Sequence, residues 1–201
     1  MESSYFYEYV NLLERVLSFA YLNLYSYGMV EKIVANSDFF KKIERFKDGF
    51  APIIDDKTLI KSIFDEEDID MNCVPSYKEC MWAAESYLRI QQETKLTLEA
   101  IFLYIPIKKM YEYFHLYHEI DFSQIVDEFK VLYKNESVFS LLLSRFDYSL
   151  KYVSEKTNVS YESLFSYKQR RRDIKKLSVD SACSIASLFM VRIETLIELK
   201  L

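Results

Sequence analysis

Glycine and proline are almost missing from this chain, and that scarcity constrains its fold more than any motif does. The 201 residues include two glycines and three prolines, against average usage of about 7% and 5%. Hairpins and tight turns depend on these residues for positive φ angles and for fixed turn geometry. The sequence therefore predicts an all-α fold with few turns and long helices.

Aromatic side chains are a main source of material for the core. Hydrophobic residues make up 50% of the chain, with 17 tyrosines, 15 phenylalanines and one tryptophan, so a disordered chain is excluded and ring burial supplies much of the packing. No apolar run approaches the roughly 18 residues that a membrane span requires, and no secretory signal is visible. The three cysteines, Cys73, Cys80 and Cys183, are too few for a disulfide scaffold. We therefore expect a cytoplasmic, reduced protein without a membrane partner.

The net charge of −5 conceals an uneven distribution. Residues 1–138 contain 15 basic and 24 acidic side chains and carry −9, whereas residues 139–201 contain 11 basic and 7 acidic ones and carry +4. Such asymmetry predicts different roles for the two parts. The C-terminal third can approach a polyanion that the rest of the chain would repel.

Apolar periodicity and capping residues predict the helices that precede this basic third. Ser76 and Glu79 have the spacing of a capping box, and the acidic run at 65–70 is interpreted as a solvated loop. The predicted helices cover 4–34, 39–46, about 56–64 and about 76–93, and further helices start at Pro106, Ser123 and Ser137.

Residues 149–168 carry the pattern that is most informative about function. A short helix over 149–156 is followed by a compact turn at 157–159, where Asn158 tolerates the left-handed conformation that the turn needs. Ser160 is a good N-cap for the next helix, which runs from Tyr161 to about Lys168. Two short helices joined in this way have the geometry of a recognition helix that enters a major groove.

The apolar residues of this segment predict which side of the second helix is exposed. Leu164 and Tyr167 are three residues apart and can face inward together with Val153 and Val159. The outer side then holds Tyr161, Glu162, Ser163, Phe165 and Ser166.

These residues belong to a longer pattern, which continues beyond the turn. The matching positions are Val153, Ser154, Asn158, Val159, Ser160, Leu164 and Tyr167, followed by Asp173, Ile174, Ile185, Ala186, Leu188, Val191, Ile193 and Leu196. In order and spacing the pattern resembles the Cro/repressor-type (XRE-like) helix-turn-helix family over residues 139–201. The resemblance implies a DNA-binding domain in which 185–196 form the closing helix pair.

The same resemblance assigns the groove-facing side to Ser160, Tyr161, Glu162, Ser163 and Ser166. It also implies phosphate contacts from the basic residues that follow the recognition helix, since an arginine fork pairs well with phosphate oxygens. Glutamate can accept from cytosine N4. The candidate DNA-binding residues are Ser160, Tyr161, Glu162, Ser163, Ser166, Lys168, Arg170, Arg171, Arg172, Lys175 and Lys176.

An internal similarity links the middle of the chain to this segment. Residues 93–104 parallel residues 156–167, with Thr, Glu, Phe and Tyr recurring at an offset of 63. A true repeat and a chance match in a chain rich in tyrosine and phenylalanine are equally open. If the repeat is real, 76–134 is a degenerate helix-turn-helix-like unit whose apolar edge, Ile105 to Ile107, packs against protein instead of phosphate.

Catalytic and metal-binding patterns are weak by comparison. His115 and His118 are three residues apart, with Glu112, Glu119 and Asp121 nearby and Cys73 and Cys80 elsewhere in the chain, but no CxxC pair or HExxH helix accompanies them. Phosphate-binding glycine loops are nearly excluded by the glycine count. We expect no enzyme, no metal and no cofactor.

The sequence thus predicts an acidic, aromatic-rich helical domain over 1–138 and a helix-turn-helix domain over 139–201. The leading functional hypothesis is a sequence-specific DNA-binding regulator, a bacterial or phage repressor that acts as a homodimer on double-stranded DNA. The alternative is an antitoxin or phage-borne inhibitor whose acidic N-terminal region neutralises a partner protein and whose helix-turn-helix autoregulates. A third interpretation treats 139–201 as a packing unit with a solvated basic loop.

Overall fold

The computed structural model describes residues 5–45, 54–64 and 77–198. These residues form thirteen α-helices and no strand, as the composition predicts. A short 3-10 helix, Ile174–Lys176, lies between the eleventh and twelfth helices. The helices are α1 (Phe6–Leu22), α2 (Tyr27–Asn36), α3 (Asp38–Arg45), α4 (Asp56–Phe64), α5 (Lys78–Thr94), α6 (Leu98–Tyr104), α7 (Ile107–Tyr117), α8 (Ser123–Asn135), α9 (Val138–Phe146), α10 (Leu150–Thr157), α11 (Tyr161–Lys168), α12 (Val179–Phe189) and α13 (Ile193–Leu196).

The helices are shorter and more numerous than the scarcity of glycine predicts, so the expectation of few turns and long helices is wrong. Even α1 and α5 reach only 17 residues each. The left-handed conformation costs an L-residue about 1–2 kcal/mol, and hydrogen bonds to the last helical carbonyls offset that cost. Residues other than glycine that adopt a positive φ in the described part of the chain are Leu24, Lys95, Asp147, Asn158, Arg170, Met190 and Glu198.

The predicted helix over 4–34 is in fact two helices, α1 and α2. Leu24 adopts a φ of 57°, and its amide donates to the Tyr21 carbonyl at 3.3 Å while the Tyr25 amide donates to the Ala20 carbonyl at 3.0 Å. These are the two bonds of a Schellman motif, which ends a helix. Periodicity continues across the break, so the sequence pattern did not reveal it.

The other helix boundaries agree closely with the sequence. α3, α4 and α8 begin within one residue of their predicted starts, and α7 begins directly after Pro106. The Ser137 hydroxyl accepts from the Ser140 amide at 3.1 Å and caps α9. α5 has Tyr77 as its N-cap, whereas Ser76 and the acidic run at 65–70 lie outside the described residues.

The core is continuous from α1 to α13. α5 packs along α1 and against α7 and α8, while α6 contacts α2, α5, α8, α9 and α13. The predicted reliance on rings is evident in fully buried Tyr87, Phe129 and Phe189. We refer to α9–α13, residues 138–196, as the C-terminal unit; the predicted boundary at 138/139 falls at its first helix, and the core runs across that boundary.

Hydrogen bonds of Glu31 in α2 connect the C-terminal unit to the earlier helices. This carboxylate is 4% exposed. It accepts from the Ile107 amide at 2.9 Å, at the start of α7, and from Arg145 of α9 at 2.6 Å. A carboxylate beside the unsatisfied amides of a helix start is stabilising. Glu31 therefore joins α2, α7 and α9 at one buried point.

Hydrogen bonds of Glu99 in α6 form a second connection, to the start of α13. Its Oε2 accepts from the Arg192 amide at 3.0 Å and from the Thr195 hydroxyl at 2.6 Å, both at the start of α13. The Thr195 hydroxyl oxygen also lies 2.8 Å from that of Thr97, which caps α6. The N-terminal ends of α6 and α13 thus share one buried hydrogen-bond network.

Candidate nucleic-acid interface

The turn between α10 and α11 has the predicted local structure. Asn158 adopts φ 57° and ψ 19°, and its amide donates to the Ser154 carbonyl at 3.1 Å. The Ser154 hydroxyl reaches across the turn and donates to the Val159 carbonyl at 2.7 Å. The Ser160 hydroxyl accepts from the Ser163 amide at 3.3 Å and caps α11. Because every polar group named here has a partner, the angle between the two helices is firmly set.

The inner side of α11 is also as predicted. Leu164 is fully buried and Tyr167 is 6% exposed, and Val153 and Val159 are buried with them. α11 contacts α10 and α9, and α10 packs on α12. The apolar side of α11 is therefore buried in the core, and its opposite side is exposed and accessible to a ligand.

The outer side of α11 presents an aromatic pair. Tyr161 and Phe165 are 48% and 37% exposed, and their rings stack with centroids 6.4 Å apart and planes 12° apart. Glu162 is exposed beside them. The guanidinium carbon of Arg171 lies 5.8 Å from the Phe165 centroid. Phe165 lies on the predicted outer side but is not among the predicted site residues, and its i,i+4 spacing from Tyr161 is the signal that predicts the pair.

The three serines named as groove-facing use their hydroxyls within the protein. The Ser160 hydroxyl donates to the Ser163 hydroxyl at 2.9 Å, and the Ser166 hydroxyl donates to the Glu162 carbonyl at 2.8 Å. Ser163 additionally accepts from Arg172 at 3.3 Å. These serines shape the end of α11 and the loop after it.

A dense group of basic side chains follows α11. Asp173, the one acidic residue of segment 168–176, accepts from the Lys175 amide at 3.0 Å and caps the 3-10 helix. Arg172 also lies over the Tyr167 ring, at 5.9 Å from its centroid. All six bases of segment 168–176 are exposed, and we call five of them the basic loop: Lys168, Arg171, Arg172, Lys175 and Lys176.

Arg170 lies in the same segment but has a different environment. Its terminal nitrogens donate to the carbonyls of Glu136 at 2.5 Å and Lys134 at 3.2 Å. The guanidinium also lies 3.4 Å from the Tyr104 hydroxyl and 5.2 Å from the centroid of Tyr133. Both of its terminal nitrogens are therefore engaged by α6 and by the end of α8.

Glu198 completes the surroundings of Arg170. Its Oε1 lies 3.5 Å from an Arg170 nitrogen and accepts from the Val138 amide at 2.8 Å, at the start of α9. Burial raises the pKa of Tyr133 to about 12, with the Glu198 carboxylate contributing in the same direction. The buried roles of Glu198, Glu31 and Glu99 are not predicted from the sequence, because nothing in their local sequence distinguishes them from surface glutamates.

The middle segment, residues 93–104, contains the same turn, but the helix that follows it is buried. Lys95 has φ 60° and ψ 18°, nearly those of Asn158, and the Thr97 hydroxyl accepts from the Ala100 amide at 3.1 Å as Ser160 does from Ser163. Ile105 and Ile107 are fully buried against protein. α6 is thus a core helix, and of these two helices α11 alone has an exposed outer face.

The histidine and cysteine candidates in the described residues belong to α5 and α7, outside the C-terminal unit. His115 and His118 are exposed on α7, where His118 stacks on Phe114. Burial raises the pKa of the Cys80 thiol, which lies 3.3 Å from the Tyr111 hydroxyl. Cys73 lies outside the described residues. Within the described ranges no three metal-ligating side chains come together.

Comparisons with known proteins give no relative for this arrangement. No family model matches the chain, and neither a curated protein nor a solved structure matches it. Across the part of the chain that the structure describes, no helix combines the length and apolar character of a membrane span.

Proposed function

We propose that the C-terminal unit binds double-stranded DNA and that the protein is a sequence-specific transcription regulator. In this proposal α11 enters the major groove with its outer side, and the basic loop contacts the flanking phosphates. The observation that carries the proposal is the juxtaposition of an exposed helix, set by a tight turn, with the five exposed bases of the basic loop.

The charge of the basic loop supports a polyanionic ligand. Six bases and one acid within the nine residues 168–176 give a local charge of +5, although the whole chain carries −5. Each phosphate that a basic side chain neutralises releases counterions, so affinity falls as salt rises, with a slope of about −0.9 per contact. Arg170 is left out of the phosphate-contacting set because its terminal nitrogens are bound by Glu136 and Lys134.

The small size of one such unit favours a dimer on DNA. A single domain of this kind buries about 600–1,000 Å², and two copies related by a two-fold axis would read half-sites roughly 34 Å apart. We propose a homodimeric repressor that acts on the promoter of its own gene.

The experiment is a binding titration against the DNA upstream of the protein's own gene, with a scrambled duplex as control, at about 50 and 200 mM salt. The test variant is Arg171→Ala/Arg172→Ala, and the matched control is Lys78→Ala/Lys108→Ala, which removes two exposed charges from α5 and α7. We expect salt-sensitive binding that prefers the upstream duplex. The test variant should lower the salt slope by about 2, and the control should leave it unchanged.

Absence of binding to either duplex would contradict the proposal and leave the C-terminal unit as a packing element. Equal binding of the two duplexes would refute sequence specificity at this promoter. An unchanged slope in the test variant would remove the two arginines from the phosphate-binding set.

A partner-neutralising function is the second candidate, and one surface favours it. Apolar side chains are exposed where α1 meets α2, including Leu24 at 90%, Tyr21 at 50% and Met29 at 48%. Tyrosine and methionine are enriched at protein interfaces, and the −9 charge of residues 1–138 suits a basic partner. A basic protein that co-purifies in equal amount with the wild type but not with Leu24→Asp/Met29→Asp would support this candidate. Co-purification that the double variant does not alter would count against it.

A further inference from the structure

The outer side of α11 leaves few chemical groups with which to read a base pair. The Ser160 and Ser166 hydroxyls donate within the protein, to the Ser163 hydroxyl and to the Glu162 carbonyl. Exposed on that side are the stacked rings of Tyr161 and Phe165 and the carboxylate of Glu162. Of the side chains that make bidentate contacts with purines, arginine, asparagine and glutamine do not occur within α11, and its one lysine, Lys168, is the last residue of the helix.

An aromatic face of this kind matches one feature of the major groove. Thymine is the standard base that presents an apolar group there, its C5 methyl, and phenylalanine is among the side chains that contact it. The Glu162 carboxylate would be repelled by the O6 and N7 acceptors of guanine and attracted by the N4 amino group of cytosine. Guanine is therefore disfavoured opposite Glu162, and thymine is favoured opposite the rings.

We propose that Tyr161 and Phe165 determine sequence specificity by packing on thymine methyl groups. This inference rests on the DNA-binding function proposed above. DNA is the occupant of the aromatic face because the basic loop borders it, with Arg171 lying over Phe165 itself. The positive charge of the basic loop attracts a polyanion, whereas it would repel a basic protein partner.

The experiment begins with selection of bound duplexes from a random double-stranded library by the full-length protein. Each thymine of the selected duplex is then replaced in turn by deoxyuridine, which removes the methyl group and keeps every hydrogen-bonding atom. We expect at least one position at which the replacement weakens binding about four-fold, the factor that corresponds to burial of one carbon group. In a symmetric dimer the effect should recur in both half-sites.

Substitutions assign the methyl effect to the rings. Tyr161→Ala/Phe165→Ala should bind the thymine and deoxyuridine duplexes equally, while Phe165→Leu should retain part of the preference. Val179→Ala is the matched control, since Val179 is 76% exposed on α12, outside the aromatic face, and it should keep the full preference. Because Phe165 is already 37% exposed, its replacement leaves the core intact, which thermal unfolding of each variant verifies.

The possible failures are distinguishable. If the library yields no bound duplex, the DNA-binding function itself fails and the inference falls with it. If a duplex is selected but deoxyuridine is tolerated at every position, DNA binding stands and the thymine inference is overturned. If the preference persists in Tyr161→Ala/Phe165→Ala, the methyl group acts through DNA shape, and the aromatic pair is not the reader.

Discussion

Arg170→Ala separates a structural arginine from the arginines proposed to bind phosphate. The substitution removes hydrogen bonds to the carbonyls of Glu136 and Lys134 and leaves Glu198 without the cation that lies 3.5 Å away. Hydrogen bonds from a charged donor contribute about 1.5–3 kcal/mol when buried. The Arg170 side chain is 35% exposed, so solvent screens part of each contact.

The expected loss is about 2 kcal/mol in the free energy of unfolding. For a chain of this length that loss corresponds to a fall in Tm of about 4–8 °C. Arg171→Ala is the matched control: it removes the same charge from the adjacent residue, whose contact with Phe165 lies on the surface, and should change stability by less than about 0.5 kcal/mol. Denaturant unfolding followed by circular dichroism measures both variants.

DNA binding by the same two variants should show the reverse order. Measured well below the Tm, Arg170→Ala should keep the wild-type salt slope, and Arg171→Ala should lower it by about 1. A structural role for Arg170 is refuted if Arg170→Ala is as stable as the wild type and lowers the salt slope. That result would mean that Arg170 leaves Glu136 and contacts phosphate, as the family resemblance implies.

Three further predictions concern the fold that holds the site. Glu31→Ala leaves the Ile107 amide without its acceptor and Arg145 without its pair, and should cost about 3 kcal/mol in denaturant unfolding, whereas Glu31→Gln keeps an acceptor and should cost less. Met190→Gly should raise stability by about 0.5–1 kcal/mol, because Met190 has a φ of 53° and is 68% exposed; Met190→Ala keeps the Cβ and should give no gain. Alkaline pH should unfold the protein. Burial raises the pKa of four phenols above the unfolded value of about 10, those of Tyr87, Tyr104, Tyr111 and Tyr133. Their contribution to stability is complete below pH 10 and declines as pH rises towards 12. The absorbance of ionised tyrosine should therefore rise together with the loss of helix.

Sequence was sufficient for the parts of the site that depend on near neighbours. The bounds of α11 follow from Ser160 as N-cap and from the inward spacing of Leu164 and Tyr167. The partners of Arg170 are 34, 36 and 66 residues away in the chain. A basic residue next to other basic residues is naturally grouped with them, and only the packing of α6 and α8 against the C-terminal unit gives Arg170 a separate role.

The break between α1 and α2 illustrates a related limit. Helix ends are usually recognised by glycine at the left-handed position, but here Leu24 occupies it. Its conformation is stabilised by bonds from the Leu24 and Tyr25 amides to carbonyls of α1. Those bonds involve only the backbone, so the side-chain pattern carries no sign of them.

The two turns at Lys95 and Asn158 show most directly what local sequence does and does not determine. Both residues have the same backbone conformation, and both turns lead to a helix capped by a hydroxyl. α6 is nevertheless enclosed by five helices, whereas α11 contacts α9 and α10 and keeps one side exposed. The turn alone therefore does not make a DNA-binding helix. What distinguishes α11 is its exposed aromatic pair beside the basic loop, and the thymine replacement experiment tests that combination.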